Sequence, residues 1–130
     1  MRNQAAVQYA GTPWALEMKA ISREEPELLV RRLTGAILGL RGWVLSRSYS
    51  DTGAVKMLFE FERQACLDIY SVLVAAGVEL GQTEHMRLTD LCHCTRINQR
   101  ECGTEIASID LEIQTPPAKT ANASQASSAV

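Results

Sequence analysis

The stretch DLCHCTRINQREC, residues 90–102, carries three of the four cysteines and one of the two histidines of the chain. Thiolates and imidazoles bind zinc and other soft metals, and neighbouring thiols interconvert with disulfides. Three readings suit these residue types. The first is a metal centre on Cys92, Cys94 and Cys102. The second is a regulatory Cys94–Cys102 pair, which needs alpha-carbons within about 7 Å. The third is packed thiols without chemistry, since free cysteine behaves as a small buried hydrophobe. The Cys-x-Cys spacing is tighter than the usual two to four intervening residues of structural zinc sites. His85 and Asp90 are the other titratable side chains nearby, and spacing fixes no nucleophile or acid–base partner for either.

Which of these residues meet depends on the element that carries them. Met86, Leu88, Asp90, Cys92 and Cys94 alternate with Arg87, Thr89, Leu91 and His93. This alternation predicts a strand over 86–94 with both cysteines on one face and His93 on the other. A returning Cys102 could then join Cys92 and Cys94, while His93 points away.

The remaining elements follow from the same periodicities. Trp14, Leu16, Met18 and Ala20 alternate as a first strand, and Leu29, Leu33, Ile37 and Leu40 recur at helical spacing. Pro26 suits the first turn of that helix and Gly42 its stop. A hairpin turns at Asp51-Thr52-Gly53, between Trp43, Leu45 and Tyr49 on one side and Val55, Met57, Phe59 and Phe61 on the other. Cys66, Ile69, Tyr70, Leu73, Val74 and Val78 form a second helical stripe ending near Gly77 or Gly81. After the 86–94 strand, Ala107, Ile109, Leu111 and Ile113 alternate as a fifth strand. The predicted fold class is α+β: a ferredoxin-like βαββαβ sandwich with an additional C-terminal strand, and two helices on one face of an antiparallel sheet. Residues 1–13 read as a flexible arm, 14–114 as the domain, and the Pro-, Ala- and Ser-rich 115–130 as a disordered tail.

With this element order, Gly42-Trp43-Val44 leading into strand two and Glu25-Pro26-Glu27 at the start of helix one, the chain resembles the ACT and ACT-like regulatory domains over about residues 14–94. The resemblance implies a regulatory, ligand-sensing or oligomerisation module, linked to amino-acid metabolism. It implies a ligand site at the turn from strand one to helix one, formed here by Ser22, Arg23, Glu25, Pro26 and Glu27. Ligand-binding members commonly place Pro-Gly at that turn. Glu27 stands where the glycine would be, and its charge disfavours an amino-acid carboxylate. From the residues alone, Pro26 with its acids is a helix start.

Composition narrows the partners. Thirteen basic against fifteen acidic residues give a net charge of −2, so no global field favours nucleic acid or an anionic membrane. Arg31, Arg32, Arg41 and Arg47 lack interleaved stacking aromatics. No run approaches the roughly 18 apolar residues of a membrane span, and no secretion leader is evident, so the expectation is a cytoplasmic protein with free thiols. Neither a Rossmann nor a P-loop pattern occurs, and no cofactor and no enzymatic activity are expected. By alternation Ala15, Ile21, Val44, Leu58 and Leu91 fall on the second sheet face, which predicts a homodimer formed through the sheet.

Overall fold

The computed structural model of the protein describes residues 14–117. The expected arm 1–13 lies outside them, as does the expected tail except for 115–117. The elements are β1 (Trp14–Ser22), α1 (Pro26–Gly39), β2 (Trp43–Tyr49), β3 (Ala54–Glu62), α2 (Cys66–Ala75), β4 (Val78–Leu80), α3 (Gln82–Ile97), the one-turn α4 (Gln99–Cys102) and β5 (Ile106–Gln114). A 3-10 turn, Arg63–Ala65, joins β3 to α2.

The class is α+β, with a five-stranded sheet in the order β2-β3-β5-β1-β4. β5 lies between its neighbours, parallel to β1 (Leu16 beside Ile109) and antiparallel to β3 (Phe59 beside Ile109). The sheet is therefore mixed rather than antiparallel. The strand expected as an addition is its centre, and β1 and β3 are held apart by it. Alternation places Leu16 and Met18 of β1, Val55, Met57, Phe59 and Phe61 of β3, and Ala107, Ile109, Leu111 and Ile113 of β5 in one buried layer. The helices cover that layer with Leu29, Leu33 and Ile37 of α1, Ile69 and Leu73 of α2, and Leu88 and Leu91 of α3.

The strand predicted over 86–94 is instead the middle of α3. Leu88, Leu91 and Thr95 are its buried residues, spaced three and then four apart along one helical stripe. Met86, assigned by alternation to the cysteine face, is 60% exposed. The fourth strand is Val78–Leu80, whose Val78 the helical spacing assigns to helix two. Gly77 separates them: at φ +98° it takes the left-handed conformation that ends a helix, and its N–H donates to Val74 O at 3.1 Å.

The second sheet face is not apolar. Glu17, Lys19, Lys56, Asp110 and Glu112 stand on it, exposed, and Trp43 Nε1 donates to Glu60 Oε1 across it at 2.9 Å. Of the residues expected there, Leu91 is buried under the helices and Val44 packs against the core, which leaves Ala15, Ile21 and Leu58. Alternation assigned Leu91 to that face only because 86–94 was read as a strand.

Two further backbone positions take left-handed conformations. Gly53, at φ +92° in the hairpin turn, has its carbonyl bonded by the Thr115 N–H at 2.6 Å and hydroxyl at 2.8 Å; a Cβ there would collide with the Thr115 carbonyl. After α1 the left-handed position is Arg41, φ 67°, not the Gly42 expected to stop the helix. Gly42 is needed for space, because a Cβ would sit 2.8 Å from Glu60 O.

Candidate functional site

Cys66 opens α2 and heads its buried stripe, Cys66-Ile69-Leu73. On α3, Cys92 directly follows the buried Leu91 and lies one turn beyond Leu88. The packing that brings these stripes together joins Cys66 to Cys92 as a disulfide, with alpha-carbons 5.6 Å apart. Cys66 is 1% exposed and Cys92 is half-buried, so Cys92 is the more accessible residue of the bond. The free-thiol expectation is corrected for both residues: it rested on compartment, whereas the two helical stripes place these thiols within bonding distance.

The disulfide forms part of the wall of a cavity of about 360 Å³ between the 3-10 turn with α2 on one side and α3 on the other. Arg63, Gln64, Leu67 and Tyr70 line the first side, and Thr89, His93, Thr95 and Arg96 the second. None of these lining side chains is acidic. The volume is at the small end of the range for small-molecule sites.

Arg63 fixes the inner end. It is buried, its Nε donates to Thr95 Oγ1 at 3.2 Å, and its Nη1 donates to Glu105 Oε1 at 2.7 Å. Thr95 Oγ1 in turn donates to Leu91 O at 2.6 Å, and the guanidinium carbon lies 5.3 Å from the Trp14 ring centroid. A buried charge is tolerated when it is paired and hydrogen-bonded in this way. Because Glu105 meets the charge of Arg63, the unmatched cation at the cavity is Arg96. It is exposed and makes no ion pair among the described residues. At the other end, Tyr70 and His85 are hydrogen-bonded, Oη to Nδ1 at 2.5 Å, with their rings edge-on.

The residues singled out from sequence are distributed differently. Cys94 is two positions beyond Cys92 on a helix, about 200° around the axis, and shares neither its face nor the cavity. Cys102 is buried on α4 and its Sγ donates to Asn98 O at 3.1 Å. The structure thus does not gather Cys92, Cys94 and Cys102, and no group of three metal-ligating side chains occurs among the described residues. His93, expected to face away from Cys92, lines the cavity with it, because adjacent helical positions diverge by only about 100°. Asp90 is exposed on α3.

Around the β1–α1 turn, Ser22 is buried and its Oγ accepts the Glu24 N–H at 3.1 Å. Arg23 reaches Glu79 at 3.8 Å, Glu25 is the N-cap residue of α1 and Pro26 is buried at its first position. Glu27 alone borders a cavity, the groove it shares with Arg31, Arg47 and Tyr49. These five residues surround the start of α1 and do not converge on one pocket.

Sequence reasoning missed Arg63, Thr95, Tyr70 and Arg96. For Arg63 no local signal existed, since its side-chain partners are 32 and 42 residues away. For Cys66 and Cys92 a signal was present in the helical spacing of Leu88, Leu91, Cys92 and Thr95. No family model matches the chain, and neither the curated proteins nor the solved structures compared with it give a match. No helix among the described residues is long and apolar enough to cross a membrane.

Proposed function

We propose that the protein is a non-enzymatic regulatory module that responds to thiol redox state through the Cys66–Cys92 bond. The observation that carries this reading is the placement of that bond, with its half-buried residue Cys92, in the wall of a small cavity with no acidic lining side chain. In the cytoplasmic setting expected from the sequence, disulfides are usually transient, which fits a switch better than a permanent link. The soft-metal alternative has less support, since Cys92 is engaged by Cys66.

The regulatory part of the proposal draws on the resemblance to ACT-like domains and the ferredoxin-like element order at the start of the chain. Ligand sensing is assigned to the α2–α3 cavity rather than to Ser22, Arg23, Glu25, Pro26 and Glu27. Homodimer formation is retained as a proposal along the edge strand β2, whose Trp43, Leu45 and Tyr49 are exposed, rather than through the whole charged sheet face. Sizing at high concentration tests it.

A redox titration of the folded chain tests the central reading, with the thiols trapped by alkylation and counted by mass. A sensor requires reversible two-electron conversion of Cys66 and Cys92 with a midpoint within the cytosolic glutathione poise, roughly −220 to −320 mV. A pair that stays oxidised in the folded chain under all such buffers, or never forms, contradicts the proposal.

A further inference from the structure

The cavity also indicates what reduces the bond. We infer that the α2–α3 cavity receives a small thiol bearing a carboxylate, which attacks Cys92 and is held there as a mixed disulfide. This inference rests on the redox reading above and adds the class of reactant.

Three observations carry it. Both cysteines border the cavity, but Cys92 is half-buried and Cys66 only 1% exposed, which favours exchange at Cys92 with Cys66 leaving. The wall presents Arg96 without a matching acid, His93 and the hydroxyl of Thr89, while the guanidinium of Arg63 is already held by Glu105. A volume of about 360 Å³ is at the small end of small-molecule sites and matches a low-molecular-weight thiol.

The exchange balances. The incoming thiolate forms a sulfur–sulfur bond to Cys92 as the Cys66–Cys92 bond breaks. The electron pair of the broken bond stays on Cys66, which takes up the proton the incoming thiol released. The thiolate of a second equivalent then attacks the sulfur of the first; the bond from that sulfur to Cys92 breaks with its electron pair left on Cys92, which takes up the second thiol's proton, and the two small thiols leave joined as a disulfide. Cys66 and Cys92 are thereby reduced by two electrons, supplied by the two thiols. Arg96 is one turn beyond Cys92 and acts here as a positioning residue for the carboxylate.

The test uses the oxidised full-length chain with 3-mercaptopropionate, 2-mercaptoethanol and cysteamine, which carry negative, neutral and positive groups. Each rate on the folded chain is divided by the rate with the same thiol on the chain unfolded in guanidinium, which cancels intrinsic nucleophilicity. The ratio should fall from anionic to neutral to cationic, by roughly fivefold per step for unit charges a few ångströms apart in a wet cleft. Acid-quenched adducts should map to Cys92. Arg96→Ala, at an exposed position, should flatten the series while leaving the melting temperature unchanged.

Equal ratios for the three thiols, adducts on Cys66, a series that survives Arg96→Ala, or reduction by dithiothreitol alone would each overturn the inference while leaving the redox reading intact. A bond absent from the starting protein, or one that dithiothreitol does not reduce while the chain is folded, overturns the redox reading itself.

Discussion

Replacing Cys92 by serine removes the covalent link between α2 and α3, and the size of the effect follows from chain statistics. The bond closes a loop of sequence separation 26. A loop of that length restricts the unfolded chain by about 12 cal/mol/K, or ~3.5 kcal/mol at 25 °C. Cys92 rather than Cys66 is the position to change, because it is half-buried, and serine there leaves no large cavity. Substitution of the fully buried Cys66 would add a packing loss of its own. For a domain of this size, an unfolding entropy near 2.1 cal/mol/K per residue converts the loss into a fall in Tm of roughly 15 °C. The assay is thermal unfolding by circular dichroism with and without reductant. Reduced wild type should melt close to Cys92→Ser, and reductant should leave the variant unchanged. If the variant and oxidised wild type melt within about 3 °C of one another, the link is not part of the stability of the fold and the loop-closure argument fails.

Three further substitutions probe the backbone and the inner end of the cavity. Gly53→Ala forces a side chain into φ +92° and against the Thr115 carbonyl, and should lower stability by about 2 kcal/mol in urea titrations; a change below 0.5 kcal/mol would show that the turn is not so constrained. Arg41→Gly relieves a left-handed non-glycine after α1 and should raise stability by about 1 kcal/mol, visible as a higher urea midpoint at unchanged slope. Arg63→Ala removes the hydrogen bonds to Thr95 and Glu105 and the contact with Trp14. It should cost about 3 kcal/mol and shift tryptophan emission, and unchanged emission would place Trp14 elsewhere.

The parts of this fold that the sequence showed are those where period and burial agree over a long segment. β1, β3 and β5 each alternate cleanly for nine residues, and Leu29, Leu33 and Ile37 mark α1 without ambiguity. Residues 82–97 are different, because the helix is mostly polar and buries only Leu88, Leu91 and Thr95. With so few apolar residues, alternation through Met86, Leu88, Cys92 and Cys94 fits as well as a helical stripe, and a strand reading follows. A strand there puts Leu91 on the wrong face, sets His93 apart from Cys92 and puts Cys92 and Cys94 on one face. Strand order was out of reach for another reason: β5 enters the centre of the sheet through a parallel pairing with β1, nearly the whole chain away. The site suffered most, because Arg63, Glu105 and Trp14 meet only once that order is known.

The central claim is the identity of the pair, and disulfide mapping of the chain by mass spectrometry without reductant measures it directly. Proteolysis after alkylation should yield one cross-linked species joining the Cys66 and Cys92 peptides, with Cys94 and Cys102 recovered as alkylated thiols. A link from Cys92 or Cys94 to Cys102, or four alkylated cysteines in protein exposed to a mild oxidant, would contradict it.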